Sequence, residues 1–103
     1  MRENVFQARV IQRLQRTFPG CVVLKNDSSY LQGIPDLTVF YGERWAMLEV
    51  KASRASAIQP NQEYYVQLMN EHSFAAFIFP ENQEEVFDAL QRSFQVGRGT
   101  LLP

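Results

Sequence analysis

Apolar positions in the first part of the chain have the spacing of a helix. They recur at intervals of three and four residues and are followed at once by a Pro-Gly pair. This spacing aligns apolar side chains along one side of a helix, and proline and glycine end helices. The pattern predicts a helix over residues 3–17. Its apolar positions are Phe6, Val10, Ile11, Leu14 and Phe18.

Three short apolar runs with strand character follow, at residues 21–26, 37–41 and 44–51. Only Gly42-Glu43 separates the second run from the third, and glycine in the first central position is typical of a type II′ hairpin turn. Both faces of this hairpin are mostly apolar. The pattern therefore predicts a sheet that is covered on both sides.

The second half of the chain alternates between helix and strand patterns. Pro60 fits the first turn of a helix that runs to about Glu71, because proline is favoured at the start of helices. The apolar run 73–80 follows as a buried strand. A strand–helix–strand unit with a right-handed crossover makes this strand parallel to the third strand.

Asn82 followed by Glu85 is typical of a helix N-cap, and it predicts a last helix to about Phe94. The order is then helix, three strands, helix, strand, helix. This order predicts an α/β fold in which a mixed sheet is flanked by helices. With 103 residues, the chain suits one domain over residues 1–103.

Composition narrows the functional classes. The chain is 46% hydrophobic, as expected of a folded domain, and its net charge of −1 does not indicate any partner. The lone Cys21 excludes an internal disulfide and fits a reducing, intracellular setting. Arg2, Glu3 and Arg9 interrupt any N-terminal signal peptide. No apolar run approaches the ~18 residues of a membrane span, so no membrane partner is expected.

The hairpin brings acidic residues together at its open end. If residues 42–43 form the turn, Tyr41 pairs with Arg44, and counting back places Asp36 opposite Glu49. Directly opposed residues have Cβ atoms roughly 5 Å apart, and like charges there are destabilising. A divalent cation between the two carboxylates would remove the repulsion.

A metal site is the chemistry that this arrangement indicates. Mg²⁺ (or Mn²⁺) binds one or two carboxylates together with water and phosphate oxygens. We therefore predict Asp36 and Glu49 as metal ligands, with the carbonyl of Val50 as a further ligand. Lys51 returns to the same face and would act on a metal-bound water or a phosphate. A simple surface ion pair of Lys51 with one carboxylate is the alternative, but it leaves the second carboxylate unexplained.

These residues resemble the motif of the PD-(D/E)xK nuclease superfamily, with Pro35-Asp36 followed by Glu49-Val50-Lys51 at the end of the next strand. The strings GIPDL, LEVK and QPNQ are most similar to the small stand-alone VRR-Nuc domains, relatives of Holliday junction resolvases. The resemblance covers about residues 3–80. It implies a restriction-endonuclease-like fold.

The resemblance also implies roles for single residues. Lys51 matches the catalytic lysine, Glu3 the glutamate of the first helix, and Gln62 the glutamine that starts the second helix. Gln59 departs from the family, which usually has a small hydroxyl residue there. Taken alone, Glu3 is explained equally well as compensating the helix dipole. For Gln62, a solvated polar position at the helix start is the alternative to a role in the site.

The activity implied is that of a hydrolase, a Mg²⁺- or Mn²⁺-dependent endonuclease that cuts branched or structured DNA. Relatives of this size are often phage-encoded homodimers, which would act in the cytoplasm of a bacterial host. Two alternatives stay open at this stage. One is a nuclease that trims ends or flaps, and the other is a non-catalytic nucleic-acid-binding module that keeps the nuclease fold.

Basic residues near the predicted site are candidate DNA contacts. Arg9 and Arg13 lie on one stripe of the first helix, and Lys25 lies at the end of the first strand. Arginine and lysine side chains contact phosphates in most protein–DNA interfaces. Ordinary solvated positions are the alternative for all three.

Overall fold

The computed structural model describes residues 1–101, with side chains described for residues 1–95. It contains three helices, four strands and one short 3₁₀ turn. In chain order the elements are α1 (Glu3–Thr17), β1 (Val22–Lys25), β2 (Leu37–Tyr41), β3 (Arg44–Val50), α2 (Gln62–His72), β4 (Phe74–Ile78), the 3₁₀ turn (Pro80–Asn82) and α3 (Gln83–Leu101).

The strands form one mixed sheet in the order β1-β2-β3-β4. β1, β2 and β3 are antiparallel neighbours, whereas β4 pairs with β3 in parallel, as the crossover through α2 requires. The predicted α/β class and the mixed sheet with helices on both faces are therefore confirmed.

The hairpin has the predicted register. Tyr41 pairs with Arg44 and Leu37 pairs with Leu48, so Asp36 and Glu49 occupy the next opposed position. Gly42 has a φ of 60° and Glu43 does not have a positive φ, which is the combination that a type II′ turn needs. A single glycine thus sets which residues meet at the far end of the hairpin.

The main apolar core lies between the sheet and the pair α1 and α3. We call this side the α1/α3 face. Five apolar side chains that point there from β2 and β3 are completely buried, and they pack against apolar residues of both helices. The residues of the cluster in these elements are Phe6, Val10 and Leu14; Leu37 and Val39; Ala46, Leu48 and Val50; and Val86, Phe87, Leu90 and Phe94.

The opposite side of the sheet, the α2 face, is only partly covered. α2 packs on β3 and β4, and none of its residues is fully buried. On β1 and β2 the side chains of Val22, Leu24 and Phe40 stay 53%, 47% and 43% exposed. The expectation of a sheet covered on both sides is therefore correct at β3 and β4 and wrong at β1 and the outer part of β2.

α3 begins where the sequence predicts, at Gln83 directly after Asn82. The role of the Asn82 side chain differs, because it closes the 3₁₀ turn instead of capping α3. Its amide oxygen accepts from the backbone N–H of Phe79 at 2.9 Å, and its amide nitrogen donates to the carbonyl of Phe77 at 3.0 Å. The end of the helix also differs from the prediction, since α3 runs beyond Phe94 to Leu101. No helix within the described part of the chain has the length and apolar character needed to cross a membrane.

Candidate functional site

A cavity of about 390 Å³ opens at the end of the hairpin where Asp36 and Glu49 meet. Its walls come from α1, the hairpin, the start of α2 and the two loops that precede β2 and α2. All five residues predicted as catalytic line it: Glu3, Asp36, Glu49, Lys51 and Gln62. The fold therefore collects in one place residues that lie up to 59 positions apart in sequence (62 − 3).

Asp36 is anchored through its backbone and through one carboxylate oxygen. Its Oδ2 accepts from the N–H of Val50 at 2.9 Å, which ties it to the end of β3. Asn26, which the sequence reasoning missed, holds the same segment. Its backbone N–H donates to the carbonyl of Asp36 at 2.7 Å, and its side-chain amide donates to the carbonyl of Pro35 and the hydroxyl of Thr38 at 2.9 and 2.8 Å.

Glu49 is a buried carboxylate with an unsatisfied oxygen. Its residue surface is only 2% exposed. Its Oε2 accepts from the side-chain amide of Gln62 at 2.9 Å, whereas Oε1 has no hydrogen-bond partner within the described part of the chain. Burial and, next, the charge of Asp36 raise the pKa of Glu49 to about 8, and the nearby charge of Lys51 offsets only part of that rise. A hydrogen bond between the carboxyl groups of Glu49 and Asp36, which requires Glu49 to carry the proton, and the charge of Glu3 raise this pKa further by smaller amounts.

Lys51 is held in one position beside this carboxylate. Its ammonium lies 3.8 Å from Oε2 of Glu49 and donates to the carbonyl of Ala57 at 2.9 Å and to Oε1 of Gln62 at 2.8 Å. The side chain is 8% exposed. A lysine with two fixed acceptors has lost most of its rotational freedom, so the position of its charge is well defined.

Gln62 connects the two charged residues. Its amide nitrogen donates to Glu49, and its amide oxygen accepts from Lys51 and from the backbone N–H of Gln59 at 2.8 Å. Both ends of the amide are therefore engaged with the site. The identity of the side chain at position 59 does not affect this contact, because the contact uses only the backbone of Gln59.

The loop before β2 and the start of α2 pack tightly against each other at one cavity wall. Gly33 has a φ of 93°, and a Cβ placed on it would lie 2.5 Å from Cβ of Asn61 and 2.9 Å from the carbonyl oxygen of Pro60. Asn61 itself has a left-handed φ of 71°, so α2 begins only at Gln62 and not at Pro60 as predicted. Only glycine satisfies both demands at position 33.

None of the three predicted DNA contacts is among the residues that line the cavity. Arg9 and Lys25 are exposed on α1 and at the end of β1. Arg13 instead joins two helices. Its guanidinium makes a bidentate pair with Glu84 of α3 at 2.6 and 2.9 Å and lies 4.1 Å from the ring centre of Phe87. The hydrogen bond to Glu84 raises the pKa of Arg13.

The donor set of the cavity fits a magnesium-type ion. The described residues contain no group of three or more His, Cys, Asp or Glu side chains arranged to hold a metal alone. Mg²⁺ does not need such a group, because it binds one or two carboxylates and takes its remaining ligands from water and phosphate. The partnerless Oε1 of Glu49, buried beside Asp36, is the atom that a cation would satisfy.

Comparison with known proteins leaves this geometry to be interpreted by itself. No protein-family model, no curated protein and no solved structure matches the chain. The assignment of a function therefore depends on the contacts within the cavity and on the short motifs that supply them.

Proposed function

We propose that the protein is a Mg²⁺- or Mn²⁺-dependent DNA endonuclease that hydrolyses phosphodiester bonds in branched or structured DNA. In this proposal it is a PD-(D/E)xK nuclease with a restriction-endonuclease-like fold, most similar to the VRR-Nuc domains. The observation that carries the proposal is the unsatisfied oxygen of Glu49. It is buried beside a second carboxylate and held at a fixed distance from the ammonium of Lys51.

A structural ion pair does not account for this arrangement. An ion pair that only stabilised the fold would match one lysine with one carboxylate and satisfy both. Here two carboxylates lie side by side, and the one nearby lysine forms an ion pair with Glu49 alone, at 3.8 Å. That lysine donates its hydrogen bonds to neutral groups, the carbonyl of Ala57 and the amide of Gln62. Clusters with this kind of charge imbalance and with a strongly shifted pKa are typical of functional sites.

In the proposed site, Asp36, Glu49 and the carbonyl of Val50 would hold the metal. When bound, the ion would supply a Lewis acid and lower the pKa of a bound water. Lys51 would orient the attacking water and stabilise the charge that develops on the phosphate. Gln62 keeps Lys51 and Glu49 at their observed separation, and Glu3 would contact a water at the cavity edge.

DNA recognition in this proposal uses the backbone and the shape of the substrate. A chain of 103 residues offers little surface for reading base edges. Arg9 and Lys25 are exposed and are proposed to contact phosphates. The same role for Arg13 would require it to leave Glu84, so its contribution to DNA binding is proposed to be the smallest of the three.

We propose a homodimer that joins through the open part of the α2 face. Val22, Leu24 and Phe40 form a contiguous apolar patch, since Val22 pairs with Phe40 and Leu24 is two residues along the same strand. Two copies facing each other across a twofold axis would bury the same patch twice. Such a dimer carries two sites for the two strands of a branched substrate. Its proposed place of action is intracellular, in a bacterial host if a phage encodes it.

One experiment tests the activity. Purified protein is incubated with Mg²⁺ and either a four-way junction or a linear duplex of the same sequence, with the Glu49→Gln variant as the matched control. We expect the junction to be cut preferentially and the variant to be inactive. Preferential cleavage of DNA ends or flaps would indicate a trimming nuclease and not a junction-resolving one. Binding without cleavage would indicate a non-catalytic module.

A further inference from the structure

The loop before β2 presents an aromatic side chain to solvent next to the cavity. Tyr30 is 89% exposed, and the flanking residues Ser28 and Gly33 both line the cavity. A tyrosine gains little from such a position in a folded monomer, because its ring buries almost no area there. Tyr30 is two residues after Ser28 and three before Gly33, so its backbone lies next to the cavity wall.

The loop is fixed in shape, so the exposure of Tyr30 is a property of the fold. The Oδ1 atom of Asp27 accepts from the N–H of Ser29 at 2.9 Å and from its hydroxyl at 2.6 Å. The carbonyl of Asp27 accepts from the N–H of Tyr30 at 3.2 Å and of Leu31 at 3.3 Å. At the far end of the loop, Gly33 is packed against Asn61. Both ends of the loop are held, and Tyr30 is presented between them.

We propose that Tyr30 is a stacking platform for an unpaired base of DNA next to the phosphate held in the cavity. This inference rests on the proposed nuclease function and adds a feature of its substrate, namely a nucleotide that is not stacked in a duplex. Exposed aromatic rings beside a site for the nucleic-acid backbone bind single-stranded segments by stacking, and each stack contributes about 1–3 kcal/mol. The platform thus selects DNA with an open or branched structure near the cut.

The chain supplies a matched control. Tyr64 is also largely exposed, at 60%, and lies two residues after Gln62 on α2. Two residues along a helix correspond to a rotation of about 200°, so Tyr64 points away from the cavity side occupied by Gln62. The two tyrosines have the same chemistry and differ in whether they lie beside the cavity.

The test uses a DNA branch that carries the fluorescent base 2-aminopurine at the unpaired position. Binding is measured with EDTA present, so that no cleavage occurs. Stacking quenches the fluorescence in the wild-type protein. We expect Tyr30→Phe and Tyr64→Ala to retain the quenching, and Tyr30→Ala to lose it with a loss of affinity of about 5- to 150-fold, the range of one stack.

A second measurement separates this inference from the proposed activity. Cleavage with Mg²⁺ is compared for the same variants on the branched DNA. If the wild-type protein cuts and quenches but Tyr30→Ala behaves like it in both assays, the stacking role is wrong and the nuclease proposal stands. If no protein cuts, the nuclease proposal fails, and the quenching assay still decides whether Tyr30 binds a base. A change in the oligomeric state of Tyr30→Ala, with normal quenching, would place Tyr30 in a subunit contact and also overturn the inference.

Discussion

The two faces of the sheet are built for different purposes, although they share the same strands. On the α1/α3 face, β3 presents Leu48 and Val50, which are completely buried among apolar side chains. On the α2 face the same strand presents Glu49, and the chain continues to Lys51. The buried side chains there include two charged ones, and the helix that covers them has no fully buried residue.

The difference between the two faces indicates how the fold remains stable although the site contains buried charged groups. An unsatisfied buried polar atom such as Oε1 of Glu49 costs about 1–3 kcal/mol. A fully buried leucine or valine contributes about 1.5–3 kcal/mol. Alternation along a strand puts the two effects on neighbouring residues. The apolar residues of β3 thus offset the energetic cost of the carboxylate between them.

The largest loss of activity is expected from substitutions on the α2 face, which carries the charged residues. Asp36→Ala or Glu49→Ala should abolish Mg²⁺- or Mn²⁺-dependent cleavage, because each removes one of the two carboxylates proposed to bind the metal. Lys51→Ala should reduce turnover severely but keep metal binding. Cleavage assays and calorimetric titration with Mn²⁺ measure both. Full activity of either carboxylate variant would refute the site, and loss of metal binding in Lys51→Ala would mean that its role is misassigned.

The neighbouring position on the apolar face should respond in the opposite way. Leu48→Ala should lower the free energy of unfolding by about 2–5 kcal/mol, as for other buried leucines. Cleavage per folded molecule should change little, since Leu48 points away from the cavity. Urea unfolding and active-site titration separate the two quantities. If Leu48→Ala and Glu49→Ala lost activity and stability to the same extent, the two faces would not have different roles.

The strands and the opposed position of Asp36 and Glu49 could be predicted from the sequence, because both follow from local pattern. Apolar spacing located the elements, and one glycine turn fixed the register that places Asp36 opposite Glu49. The contacts that complete the site have no such local signal. Gly33 meets Asn61 and Arg13 meets Glu84 only after the chain has folded.

The residue that the sequence reasoning missed, Asn26, and the one whose role it predicted wrongly, Asn82, are both asparagines with side chains bonded to the backbone. Asn26 follows a strand and has the sequence context of an ordinary loop residue, yet it binds the backbone carbonyls of Pro35 and Asp36 and the side-chain hydroxyl of Thr38. Asn82 has the sequence context of an N-cap, but its side chain is taken by the backbone of Phe77 and Phe79. In both cases a side-chain amide bonds to a nearby backbone group whose position is set by the sheet. Sequence spacing does not reveal such a choice.

The pH dependence of stability should show the effect of the buried carboxyl group of Glu49 on the α2 face, and this measurement needs no substrate. The fold raises the pKa of Glu49 from 4.5 to about 8, so between these values the folded protein holds a proton that the unfolded chain releases. In EDTA the contribution is fully present below pH 4.5 and is lost as the pH rises through about 8. Unfolding measured against pH should show this decline, and Glu49→Gln should remove it. Mg²⁺ should stabilise most at pH 8 and above, where Glu49 is ionised. A decline that persists in Glu49→Gln would assign it to other groups.

A smaller effect on both stability and activity is expected at the cavity wall where the loop before β2 packs against the start of α2. Gly33→Ala places a methyl group against Asn61 and adds a left-handed φ that costs an L residue about 1–2 kcal/mol. The start of α2 should shift, and Gln62 with it, so metal affinity should fall together with stability. Gly20→Ala is the control, because Gly20 has a similar φ of 87° and open space around its Cβ position. Loss of stability without loss of metal affinity in Gly33→Ala would separate the loop from the site.

The smallest effect distinguishes two arginines on one helix. Arg9 is exposed, whereas Arg13 is paired with Glu84 and packed on Phe87. Arg9→Gln should reduce the slope of log affinity against log salt by about 0.9 if it contacts one phosphate of duplex DNA. Arg13→Gln should leave that slope unchanged and lower the free energy of unfolding by about 0.2–1 kcal/mol, as for other partly exposed ion pairs. Neither change should affect cleavage at saturating DNA, since neither residue lines the cavity. A reduced slope in Arg13→Gln would show that DNA displaces Glu84 from Arg13. Unchanged slopes in both variants would show that neither Arg9 nor Arg13 contacts DNA.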